Sequence, residues 1–159
     1  KSLANRDDPF PLGQRRQLFL NVNGRFEDVS ARAGRTFALV EAGRGAAFGD
    51  VDNDGDTDVL VGNGAGPVRL LINDIGARHH WLGLRLVGGD PRRDMLGARV
   101  EIRRTDRPSL WRRARADGSY ASANDPRVLA GLGDAALPVS LRVLWPDGRA
   151  ETFEGVQPD

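Results

Sequence analysis

The chemistry in this sequence is concentrated in one segment, Asp50-Val51-Asp52-Asn53-Asp54-Gly55-Asp56-Thr57-Asp58, where five carboxylates take every second position of nine residues. No basic residue stands between Arg44 and Arg69 to neutralise them. Two carboxylates about 4 Å apart repel by roughly 4 kcal/mol at an effective dielectric near 20. Several such pairs would cancel much of the stability of a small domain. A hard divalent cation removes the conflict, and calcium accepts about six to eight oxygen ligands at about 2.3–2.6 Å. At positions one, three and five, Asp50, Asp52 and Asp54 can turn their carboxylates inward. Gly55 permits the bend at position six, Asp56 offers its backbone carbonyl at seven, and Asp58 closes the cage at nine. The expected metal ligands are therefore Asp50, Asp52, Asp54, Asp56 and Asp58, and the expected cofactor is Ca2+. Magnesium prefers a strict octahedron with retained water and fits less well. Zinc and copper would want histidine or cysteine, which the loop lacks. An EF-hand opens in the same way but needs a glutamate at position twelve and a following helix. Position twelve is Val61, followed by Gly62, Gly64, Gly66 and Pro67, so that reading fails.

The remaining reactive residues form no comparable constellation. His79 and His80 are the only histidines, and consecutive strand residues point to opposite faces, which disfavours one shared site. Gly62-Asn63-Gly64-Ala65-Gly66 follows a strand, but Pro67 and another strand come next, so no helix amino terminus is present to hold a phosphate. The run 92–115 carries nine arginines against Asp94, Glu101 and Asp106. It is either a solvated strand face or a basic surface for an acidic glycan or protein. Interleaved aromatics are missing apart from Trp111, which argues against a nucleic-acid platform. Trp81, Trp111 and Trp145 read as core or interface anchors, and Tyr120 as packing in a similar way.

These residues must be positioned by strands and turns. Twenty glycines and nine prolines divide the 159 residues into short segments. The apolar segments 59–61, 68–72, 81–87, 98–103 and 139–145 are β-branched or alternate with polar residues, the period of two of a sheet with one buried face. Asn23-Gly24 and Pro146-Asp147-Gly148 are hairpin turns by composition. No amphipathic stripe of helical period and useful length occurs, and only 29–34 and 134–137 tolerate a helix. The expected fold is all-β.

Hydrophobic residues at 40% and charged residues at 28% are those of a globular chain, and no apolar run is long enough to insert in a membrane. The formal charge of +1 announces neither nucleic acid nor an anionic membrane as partner, although residues 1–75 carry net −2 and residues 76–159 net +3. Absence of cysteine excludes disulfides and thiolate metal sites. The chain begins at Lys1 without a leader and reads as a piece of a longer protein.

The stretch 45–63, with Gly45-Ala46-Ala47-Phe48-Gly49 running into the acidic loop and Val59-Leu60-Val61-Gly62-Asn63 leaving it, resembles an FG-GAP repeat. This unit, also called a VCBS repeat, is the calcium-binding blade of integrin-α-type β-propellers. Residues 18–30 resemble the hairpin that links one such unit to the next. Then come His80-Trp81-Leu82-Gly83-Leu84, Met95-Leu96-Gly97-Ala98-Arg99-Val100, Gly118-Ser119-Tyr120, Gly131-Leu132-Gly133-Asp134 and Leu144-Trp145-Pro146-Asp147-Gly148. That order resembles the ASPIC/UnbV domain of the cartilage acidic protein-like family. Ala121 and Ala130 stand where larger residues belong to the pattern.

The resemblance implies a propeller-blade-type region of antiparallel strands at 1–75, with a Ca-binding loop, followed by a β-sandwich-like domain at 76–159. One blade cannot bury both its faces, so further propeller blades are expected upstream in a parent chain. The expected function is a calcium-stabilised, secreted binding or adhesion module, exported to the periplasm, the cell surface or the extracellular space. Its partner would be a protein or glycan held by the arginine-rich face 92–115. No catalytic residue is assigned. The alternative is an accessory or catalytic module of a carbohydrate-processing or secondary-metabolite enzyme, with Asp117, Asp125 and Glu101 as its weak candidates.

Overall fold

The computed structural model describes residues 12–134 and 137–159. Residues 1–11 of the expected blade region, and 135–136 within the second helix-tolerant stretch, lie outside the described residues. The described chain is all-β as its periodicity requires. It holds three single 3-10 turns, Ser30–Arg32, Arg35–Ala38 and Gly76–Arg78, and every strand pair is antiparallel.

The first half contains β1 (Gln14–Arg15), β2 (Phe19–Val22), β3 (Arg25–Asp28), β4 (Val40–Glu41), β5 (Gly43–Gly49), β6 (Asp58–Asn63) and β7 (Arg69–Leu71). β2 and β3 form a hairpin whose turn residues Asn23 and Gly24 both take positive φ, 52° and 84°. Asparagine and glycine reach that region most readily, and the resulting turn matches the twist of the strands. β5, β6 and β7 form a meander in that order, with Ala47, Leu60 and Leu70 in register on one face. Leu60 and Leu70 are exposed on that face. Val61 is the one hydrophobic side chain of the described first half that is buried, beside three buried aspartates.

Glu41 ties this half together. Its carboxylate accepts from Arg69 Nη2 and Arg16 Nη2 at 2.5 Å each, and from Asn63 Nδ2 at 3.3 Å. Hydrogen bonds from Arg69 and then Arg16 hold its pKa down to about 2, against 4.5 for the free group. A depressed carboxylate contributes stability that is present above pH 4.5 and is lost as the pH falls toward about 2. The urea midpoint of Glu41→Gln should therefore fall less steeply than that of the wild type across that window. Parallel pH profiles would show that the cluster contributes nothing.

The second half contains β8 (His80–Leu84), β9 (Val87–Gly88), β10 (Arg93–Asp94), β11 (Arg99–Arg103), β12 (Leu110–Arg113), β13 (Val128–Gly133), β14 (Val139–Leu144) and β15 (Ala150–Val156). A four-stranded sheet of order β12-β11-β14-β15 faces the pair β13-β8. Alternation decides the faces: Val100 and Ile102 of β11 point inward while Arg99 and Arg103 point out, and β14 repeats the pattern. Leu82, Ala130 and Leu132 from the pair meet Val100, Ile102, Val139, Leu141 and Val143 from the sheet. This sandwich core stabilises the fold by roughly 1.5–3 kcal/mol for each large side chain buried. Ala130, smaller than the pattern expects, is fully buried directly opposite Leu82.

Candidate metal centre

The acidic segment joins β5 to β6, and the Gly49–Asp58 pair closes its base. Two residues with positive φ bend it, Asn53 at 60° and Gly55 at 94°. Inside the bend the loop's own N–H groups are satisfied by its carboxylates. Asp50 Oδ1 and Oδ2 accept from the amides of Asp54 (3.1 Å) and Gly55 (3.2 Å), and Asp54 Oδ1 accepts from Asp56 N at 3.1 Å. Asp58 Oδ2 accepts from Val51 N at 2.8 Å and its Oδ1 from Asn73 N at 2.9 Å.

Of the five aspartates expected as ligands, Asp50, Asp52 and Asp58 bring one carboxylate oxygen each within 4.8 Å of the others. Asp54 and Asp56 stand outside that group. Asp54 serves the turn, and Asp56 reaches across to the Gly76–Arg78 turn, where its Oδ2 accepts from Ala77 N at 3.1 Å. Three of the aspartates are buried, Asp50 at 6%, Asp56 at 5% and Asp58 at 1% exposure. The buried Asp56 Oδ1 has no donor among the described residues. Burial raises the Asp56 carboxyl above its ordinary range, helped by the charge of Asp54. The Asp52 carboxyl is raised first by lost hydration and then by Asp54, Asp58 and Asp50. The site is thus an all-oxygen donor set whose own loop supplies no positive charge, and it could hold a hard cation.

Residues from the second half grip the loop from outside. Arg127 donates from Nη2 to the Asp50 carbonyl and from Nη1 to Asn53 Oδ1, both at 2.6 Å, while its Nε holds Asp125 Oδ2 at 2.6 Å. Both backbone groups of Phe48 on the β5 edge are taken as well, its N–H by Asn124 Oδ1 (3.0 Å) and its carbonyl by Asp125 N (2.9 Å). The Trp81 indole covers Gly55 so closely that a Cβ there would lie 2.2 Å from the ring. None of these contacts is signalled by the loop's spacing, since the partners lie up to 77 residues away.

The two histidines serve no common site: His80 opens β8, and His79 ends the turn before it. His79 and His80 pair with two different aspartates, Asp134 at 2.7 Å and Asp159 at 2.5 Å. Asp117, Asp125 and Glu101 are each engaged by a separate arginine, respectively Arg113, Arg127 and Arg103. Within the arginine run, Arg99 and Arg103 stand on the outward face of β11, and Arg113 lies opposite Arg99 in register on the edge strand. Trp145 packs on the sandwich core, Trp81 on the loop, and Trp111 is exposed. Tyr120, expected to pack, is instead 78% exposed, and its backbone carbonyl is the part of it that lies over Gly45.

Residues 12–74 match the family model described as FG-GAP-like repeat, and residues 88–159 the one described as ASPIC and UnbV. No curated protein sequence matches the chain.

Proposed function

We propose that this chain, an FG-GAP-like repeat followed by an ASPIC and UnbV domain, is a calcium-stabilised binding module of an extracellular repeat protein. The observation that carries the proposal is the convergence of Asp50, Asp52 and Asp58 in a bend whose buried Asp56 oxygen lacks a donor. When bound, calcium supplies the positive charge that the loop itself lacks. The chain's own residues do the rest. Asp50 and Asp58 are held in place by backbone N–H groups on both oxygens, and Asp52 completes the group from the open side. No helix among the described residues is long and apolar enough to cross a membrane.

A role in adhesion is supported by the outward arginines Arg99, Arg103 and Arg113 beside the exposed Trp111, within the stretch 92–115. Contacts of that kind with an acidic glycan or protein weaken steeply as salt is added. Metal binding is tested by calorimetric titration of the EDTA-treated chain. Saturable uptake of calcium is expected, with magnesium weaker, and none in a variant carrying Asp50→Asn, Asp52→Asn and Asp58→Asn together. Absence of calcium uptake by the wild type up to about 10 mM, above the affinity range of extracellular calcium modules, sinks the proposal.

A further inference from the structure

Besides the Trp81 indole and the Ala77 amide, the second domain holds the loop through Arg127, and from this we infer that Arg127 is a positioning residue for the metal centre, making its affinity a property of both domains. The inference rests on the calcium reading above and deepens it. Arg127 directly precedes β13, so its backbone is fixed by the sandwich core, where Val128 pairs with Leu84. Its guanidinium spans three acceptors at once: the Asp50 carbonyl, Asn53 Oδ1 and Asp125 Oδ2. Two of these belong to the loop, at a residue of the carboxylate group and at a residue held at positive φ.

A planar fork of this kind fixes the path of the backbone between Asp50 and Asn53, on which the direction of the Asp50 and Asp52 carboxylates depends. A cation near the site would ordinarily oppose calcium. Here Asp125 lies against the guanidinium through both Nε and Nη2, and its second oxygen accepts the Arg127 amide. The charge is therefore offset locally while the geometry is kept. Ordering the loop before the metal arrives removes part of the conformational cost of binding. The coupling is reciprocal: whatever factor docking adds to calcium affinity, calcium adds to docking.

The test uses the full chain. Calorimetric calcium affinity should fall about tenfold in Arg127→Ala, while Arg149→Ala, which breaks an exposed pair with Asp147, leaves it unchanged. Hydrogen exchange supplies a readout that a merely structural role would not move. Calcium should slow exchange at residues 124–127 as well as within 50–58 in the wild type, and within 50–58 alone in the variant. If Arg127→Ala loses the wild-type circular dichroism spectrum, Arg127→Lys is measured instead. It keeps charge and stem, cannot reach three acceptors together, and should bind calcium at least threefold more weakly. Wild-type affinity in the folded arginine variant, or calcium protection confined to the loop in the wild type, overturns the inference and leaves the calcium reading standing. Failure of the wild type to bind calcium removes both.

Discussion

Calcium should raise the melting temperature of the wild-type chain, and Asp58→Ala should abolish the rise and lower the metal-free melting temperature as well. A ligand present at a hundredfold its Kd stabilises the state it binds by about 2.7 kcal/mol. That corresponds to roughly 5–10 °C for a chain of this size. Asp58 also has a second job. It is 1% exposed, and its two oxygens accept the amides of Val51 and Asn73, tying the loop to the segment that leaves β7. Alanine leaves both donors without their partner, at about 1–3 kcal/mol each where they stay buried. Asp52 separates the two effects, because it is exposed and sits in the carboxylate group without tying the loop to another strand. Asp52→Ala should weaken the calcium response while keeping, or slightly raising, the metal-free melting temperature by relief of repulsion. A full calcium shift retained in Asp58→Ala would falsify the assignment of that residue to the centre.

The second large effect is expected at Gly55. Its φ of 94° lies where side chains are strained, and the Trp81 ring occupies the space that a Cβ would need. Gly148 provides the control: its φ of 89° is similar, and a Cβ added there would meet nothing within 4 Å. Conformation alone costs about 1–2 kcal/mol at such a position. Gly148→Ala should stop there, with a fall of a few degrees. Gly55→Ala carries the same strain and must also expel the indole from the loop, so it should lose clearly more stability and calcium affinity together. Intrinsic tryptophan fluorescence should shift to the red as Trp81 meets water. Equal melting temperatures for the two variants would mean that the indole does not press on the loop in solution.

Much of this is legible in the amino-acid order alone. The alternation at 98–103 and 139–145 names the inward faces correctly, because a half-buried strand has no other way to satisfy both its surfaces. Asn23-Gly24 marks its hairpin for an equally local reason. The acidic loop stands out by spacing, and spacing already gives Asp56 a backbone role, yet it places the Asp54 carboxylate with those of Asp50, Asp52 and Asp58. What separates Asp54 and Asp56 from the other three is the path of the backbone through Asn53 and Gly55, which turns one carboxylate onto the loop's own amide and the other onto Ala77. Arg127 and Trp81 are invisible in their roles, since contacts between distant segments are decided by how two sheets pack. Leu60 and Leu70 mislead in the opposite sense: strand-like and apolar, they point to water in this chain.

Among its described residues, the first half buries carboxylates where most domains of its size bury hydrocarbon. Melting that half consequently uncovers little oily surface, so its heat-capacity increment and its denaturant slope should both be small for its length. Its melting should then respond more to charge and dissolved ions than that of a domain built on an oily core.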